Sequence, residues 1–134
     1  MLARRAFMSR SRLVERPRVE GSRKWLVAEL DRLTSIIVRR RDKRCVTCGS
    51  VQSLQCSHFY SRRYLPTRFH LRNCNAMCAV CNRRHNTDRR PYERYMRRAY
   101  GPAAIAELDG LRMSLEKVTA EELGELLRRY KAMV

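Results

Sequence analysis

Two cysteine pairs constrain this chain more than any other feature: Cys45-x-x-Cys48 and Cys78-x-x-Cys81, with 29 residues between them. Each pair forms a knuckle whose two sulfurs reach one tetrahedral ion, and two knuckles complete a closed four-cysteine zinc site. Disulfides would require a secreted protein, and no signal peptide is visible. A redox CxxC needs one pair, not two. The zinc is expected to be structural, because a segment this short buries too little apolar surface to hold itself together. The two remaining thiols, Cys56 and Cys74, read as small core residues.

The rest of the chain organises around that staple. A length of 134 residues leaves room for one modest domain and tails. Leu26, Leu30, Leu33 and Ile37 recur at helical spacing within Lys24–Arg41, with Trp25 and Ile36 widening the stripe, and Arg39, Arg40 and Arg41 close that helix where its dipole favours cations. Between the knuckles, Leu54–Tyr60 and Arg68–Arg72 read as short strands. After Cys81 a helix is expected through Asn82–Asp88, breaking before Pro91, and a second over Tyr92–Tyr100, ending at Gly101-Pro102. Two more are expected over Ala103–Leu111 and Ala120–Met133, the last opening on Thr119 and Glu122 in capping-box spacing. The division that follows is a basic arm (1–22), a zinc-stapled core with its leading helix (23–100) and a C-terminal helical segment packed on it (101–134).

Charge then narrows the partner. Lys and Arg total 30 against 13 Asp and Glu, a formal +17. Of the 30, 26 are Arg, whose planar fork grips phosphate bidentately and stacks on bases, so nucleic acid is favoured over an anionic membrane surface. Residues 1–100 carry 25 basic and 7 acidic side chains, whereas residues 101–134 carry 5 and 6, so the binding surface belongs to the first hundred. No apolar run approaches the roughly 20 residues a membrane helix needs. The first 22 residues, with six Arg and two Glu, read as an arm adding phosphate contacts; Glu15 and Glu20 count against a transit peptide. From Lys43 to Thr87 there is no Asp or Glu at all.

Within and after the knuckles lie Cys45-Val-Thr-Cys48-Gly49, Cys56-Ser-His58-Phe, Ser61-Arg-Arg-Tyr, Thr67-Arg68-Phe, Arg72-Asn73 and Cys78-Ala-Val-Cys81-Asn82-Arg83. This run resembles the phage NinG/Rap recombination family, a branch of the HNH, or ββα-metal, nucleases. The resemblance covers roughly residues 24 to 131 and is densest over 45–100. It implies an α+β fold: a small zinc-stapled ββα-metal core flanked by an N-terminal helix and C-terminal helices.

It also implies an HNH-type endodeoxyribonuclease, metal-dependent through Mg2+ or Mn2+. The substrates implied are branched recombination intermediates such as Holliday junctions or D-loops, cut in the cytoplasm of a phage-bearing bacterium. His58 matches the family's general base, at the end of the first hairpin strand. Asn73 matches the Asn that braces the loop and orients that base, and Asn82 the oxygen ligand that follows the fourth cysteine. His85 and Asn86, three and four residues beyond Asn82, share its helix face and are candidate further ligands. Ser57 stands where many relatives carry a metal-binding Asp, and the acid-free stretch offers nothing nearer than Asp42 or Asp88. Arg62, Arg63, Arg68, Arg72, Arg83, Arg84, Arg89 and Arg90 are the expected phosphate contacts. His70 reads as an ordinary surface residue, and Tyr60, Tyr64 and Phe69 as core packing rather than base-stacking. A junction substrate would favour a homodimer, although no dimerisation heptad is present. Two other readings explain the charge and cysteines equally well. One is a zinc-stapled DNA-binding protein without catalysis; the other is an HNH nuclease acting on linear duplex.

Overall fold

A computed structural model describes residues 19–134. The expected arm therefore lies, apart from its last residues, outside the described part of the chain. Among the described residues, six helices and one two-stranded antiparallel sheet make a mixed α+β fold.

Helix α1 (Arg23–Asp42) starts where the Ser22 hydroxyl accepts from the Trp25 amide and ends at Lys43, a left-handed residue that turns the chain into the first knuckle. Its stripe of Leu26, Leu30, Leu33 and Ile37 is buried against Phe69 and against Leu123, Leu127 and Tyr130 of α6 (Ala120–Lys131). The expected capping box is present: the Thr119 hydroxyl accepts from the Glu122 amide, and the Glu122 carboxylate accepts from the Thr119 amide.

Strand β1 (Leu54–His58) is two residues shorter than the sequence suggests. Its partner differs more. The second strand is not Arg68–Arg72 but β2 (Cys74–Cys78), with Leu54 opposite Cys78 and His58 opposite Cys74. Pro66 instead opens a single helical turn, α2 (Leu65–Arg68), and two tight turns follow, the His70 amide donating to Thr67 and the Asn73 amide to His70. The strand sequence Cys-Asn-Ala-Met-Cys has little intrinsic β-propensity; burial of all five residues dictates it.

The second knuckle runs directly into α3 (Ala79–Arg84), which completes a ββα unit but stops four residues short of the expected end. Helices α4 (Arg90–Tyr100) and α5 (Pro102–Arg112) are separated by Gly101, whose φ of 85° is the break. A second apolar cluster surrounds the knuckles: Phe59, Met77, Tyr92, Met96 and Leu108 with Cys45, Cys78 and Cys81. Arg41 ties α1 to β2, donating to the Leu71 and Cys74 carbonyls (2.7 and 2.9 Å), while Asp42 accepts from the Ala76 amide. Among the described residues no helix is long and apolar enough to cross a membrane.

Candidate active site and metal centre

The four cysteines converge as their spacing requires. In the first knuckle Gly49 adopts a φ of 78°, letting its amide reach the Cys45 carbonyl at 2.8 Å. The sulfurs of Cys45, Cys48, Cys78 and Cys81 all lie within 4.8 Å of one another. The Cys48–Cys78 separation is 3.7 Å. A tetrahedral ion with Zn–S bonds of about 2.3 Å spaces its sulfurs by about 3.8 Å, so the cluster could hold a zinc ion. Burial raises the Cys45 thiol, but hydrogen bonds from Thr47 and from the Cys78 and Cys48 amides outweigh it and bring the thiol down to about 6, whereas burial pushes the Cys81 thiol up to about 12, so that thiol gives up its proton only to a bound ion.

His58 is the last residue of β1. Its Nε2 lies 2.9 Å from the Arg68 carbonyl, which can only accept, so Nε2 carries the proton and Nδ1 the free lone pair. Burial holds this imidazole below its ordinary range, with the Arg68 bond opposing and Arg62 reinforcing, so the ring is neutral at pH 7. Asn73, fully buried, accepts from the Tyr60 amide at 2.9 Å and donates to the Tyr60 and Thr67 carbonyls, both at 3.1 Å. It braces the loop that carries Arg68 and does not itself line the cleft.

That cleft, about 410 Å3, is lined by His58, Asn82, His85 and Asn86 together with Arg62, Arg83 and Arg89. The Asn82 amide nitrogen donates to Gln55 at 2.9 Å, which turns the side chain toward β1, and its oxygen has no hydrogen-bond partner among the described residues. His85 donates through Nε2 to the Phe59 carbonyl at 3.1 Å, and its buried Nδ1 has no partner among the described residues. Burial also lowers the His85 pKa, so Nδ1 presents a lone pair at neutral pH.

These groups sit on a ββα unit stapled by cysteines, with an imidazole at the end of the first strand and an asparagine just after the fourth cysteine. A protein-family model described as Bacteriophage Lambda NinG protein matches residues 3–134. The chain belongs to the NinG family. No curated protein and no solved structure matches it.

The remaining arginines of this NinG-family chain are placed unequally. Arg68 is engaged by Asp31 through two bonds of 2.9 and 2.6 Å, and Arg90 pairs with Asp88. Arg63 lies over the Tyr64 ring, and Arg84 flanks a small cavity beside Cys48 and Cys81. Arg72 is exposed away from the cleft. Neither acid bordering the acid-free stretch enters the cleft: Asp42 is held by Arg41 and the Ala76 amide, Asp88 by Arg90. Ser57 is buried on the strand face opposite His58, its hydroxyl without a partner among the described residues. The residues missed by sequence reasoning are Cys56 and Cys74. Cys56 lines the cleft, and both thiols stand beside His58; the spacing Cys56-x-His58 on one strand was the signal for the first of them.

Proposed function

We propose that this NinG-family protein is a metal-dependent endonuclease that hydrolyses DNA phosphodiesters in branched recombination intermediates. The observation that carries the reading is His58: a neutral imidazole with its proton fixed on Nε2, lining a cleft with Asn82, His85 and three arginines. In the proposed reaction Nδ1 of His58 takes a proton from a water molecule as the oxygen bonds to phosphorus. The bond from phosphorus to the 3′ oxygen breaks and that oxygen takes a proton from solvent water, leaving a 3′-hydroxyl and a 5′-phosphate. Arg62, Arg83 and Arg89 bind the phosphates and balance the charge that develops on them.

A divalent cation would be held by the Asn82 amide oxygen and by His85 Nδ1, whose Nε2–H bond to a carbonyl is the support that metal-ligating histidines ordinarily have. When bound, it supplies stabilisation of the phosphate charge and of the departing oxygen. With no carboxylate in the cleft, the ion depends on substrate phosphate to complete its shell, and the nitrogen donor favours Mn2+ over Mg2+. The four-cysteine cluster holds zinc and serves the fold alone, since a closed site has no position open to substrate.

The test is nicking of a labelled four-way junction and a matched linear duplex in Mn2+, Mg2+ or a chelator. Metal-dependent cutting confined to the junction is expected, with two copies acting across its symmetry. Equal cutting of both substrates would leave the enzyme and remove the recombination role. The carboxylate-free cleft also supports a second reading, a zinc-stapled DNA-binding protein without catalysis; binding with no cutting in any metal is its signature.

A further inference from the structure

We propose that Cys56, His58 and Cys74 form a second, thiophilic metal site, separate from the four-cysteine cluster, and that an ion bound there removes His58 from service as a base. Alternation along β1 puts Cys56 and His58 on one face. The antiparallel register sets His58 opposite Cys74 and Cys56 opposite Ala76, so all three donors share that face. Two sulfurs and a ring nitrogen lie within 4.8 Å of one another, close enough to surround a single ion.

The Arg68 carbonyl supplies a fourth corner. It accepts from His58 Nε2 at 2.9 Å and from the Cys74 thiol at 3.1 Å, so one oxygen already lies beside two of the three donors. Two thiolates and an imidazole select zinc-class cations over Mg2+, which demands oxygen ligands. Cys74 is fully buried, which suits a ligand that is to stay fixed. Cys56 and His58 line both the main cleft and a neighbouring cavity of about 360 Å3, so an ion arrives from solvent on either side.

The consequence follows from counting protons. Binding releases the two thiol protons and leaves the imidazole neutral. A neutral imidazole has one ring lone pair, and its other nitrogen carries hydrogen. Whichever nitrogen holds the ion, none remains to accept a proton from water. The metal half of the inference stands on the cluster's geometry; the inhibitory half rests on reading His58 as the base.

The full chain is titrated with Cd2+. Total zinc plus cadmium per chain is measured with the thiolate-to-cadmium ultraviolet absorption, for wild type, Cys56→Ser and Cys74→Ser. Wild type is expected to hold one ion more than either variant, with the helical circular-dichroism signal unchanged. Equal counts in all three overturn the site. Should Cys74→Ser fail to fold, the half-buried Cys56→Ser decides alone. Junction nicking in Mn2+ by wild type should fall as the extra ion is taken up, while Cys56→Ser, referred to its own rate before cadmium, is inhibited less; equal fractional inhibition of both overturns the switch. Absence of nicking in Mn2+ by folded wild type that holds one zinc per chain and no cadmium overturns the nuclease reading instead, and the ion count still decides the site.

Discussion

His58 and Asn73 divide one task between them. The first carries the lone pair; the second fixes the loop whose Arg68 carbonyl decides which ring nitrogen has it. Because burial lowers the His58 pKa, its basic form persists into weak acid, so the acid limb of the nicking rate should have its midpoint below the 6.5 of an ordinary imidazole. The rate should rise with pH through that midpoint and be flat by neutrality; a midpoint at or above 6.5 would deny His58 the role. Asn73→Ala leaves the Tyr60 amide and two carbonyls without partners in a buried setting. It should cost on the order of 3 kcal/mol in urea unfolding. At this scale the sequence was informative where chemistry depends on spacing: His58, Asn82, His85 and Asn86 line one cleft, and the four cysteines one cluster. It was uninformative where partners come from distant segments. Nothing local to Arg68 foretells that Asp31, 37 residues away in sequence, occupies its guanidinium, or that Cys74 meets Cys56 across a sheet.

Elements show the same division. Helices with a periodic apolar stripe or a side-chain cap, α1 and α6, were legible to within two residues, because periodicity and capping are local properties. Strand β2 was not, because Asn75 and Ala76 adopt extended backbone only under tertiary burial, with Asn75 satisfied by Tyr92, Tyr100 and Arg41. Helix α3 stops early because residues beyond Arg84 turn back on it, and the Asp88 carboxylate then accepts from the Arg90 amide at the start of α4. The ββα unit is thus held at its ends: Cys78 closes β2 and caps α3, and Cys45 is pinned by the Ser50 carbonyl. Cys78→Ser should therefore release the metal and much of the helical circular-dichroism signal together. A folded variant with full helical signal would show that the knuckles are not the staple.

Over the whole molecule, charge and architecture are segregated. The α1–α6 layer supplies one apolar core, while the knuckle cluster positions a cleft edged by Arg62, Arg83 and Arg89. Net charge was readable at once from the sequence; which arginines face the cleft was not, since that depends on how α3 and the loop after β1 fold together. The logarithm of the DNA affinity should fall linearly with the logarithm of salt concentration, and Arg83→Ala should reduce the slope by about 1. An unchanged slope would take Arg83 out of the phosphate contacts. The central claim is that His58 acts as the base of a nuclease, and the most direct measurement is nicking of a four-way junction in Mn2+ by wild type and His58→Ala, with binding and zinc content followed in the same samples. The variant is expected to lose nicking while binding DNA as wild type does and retaining the zinc of the four-cysteine cluster; undiminished nicking by His58→Ala would contradict the claim.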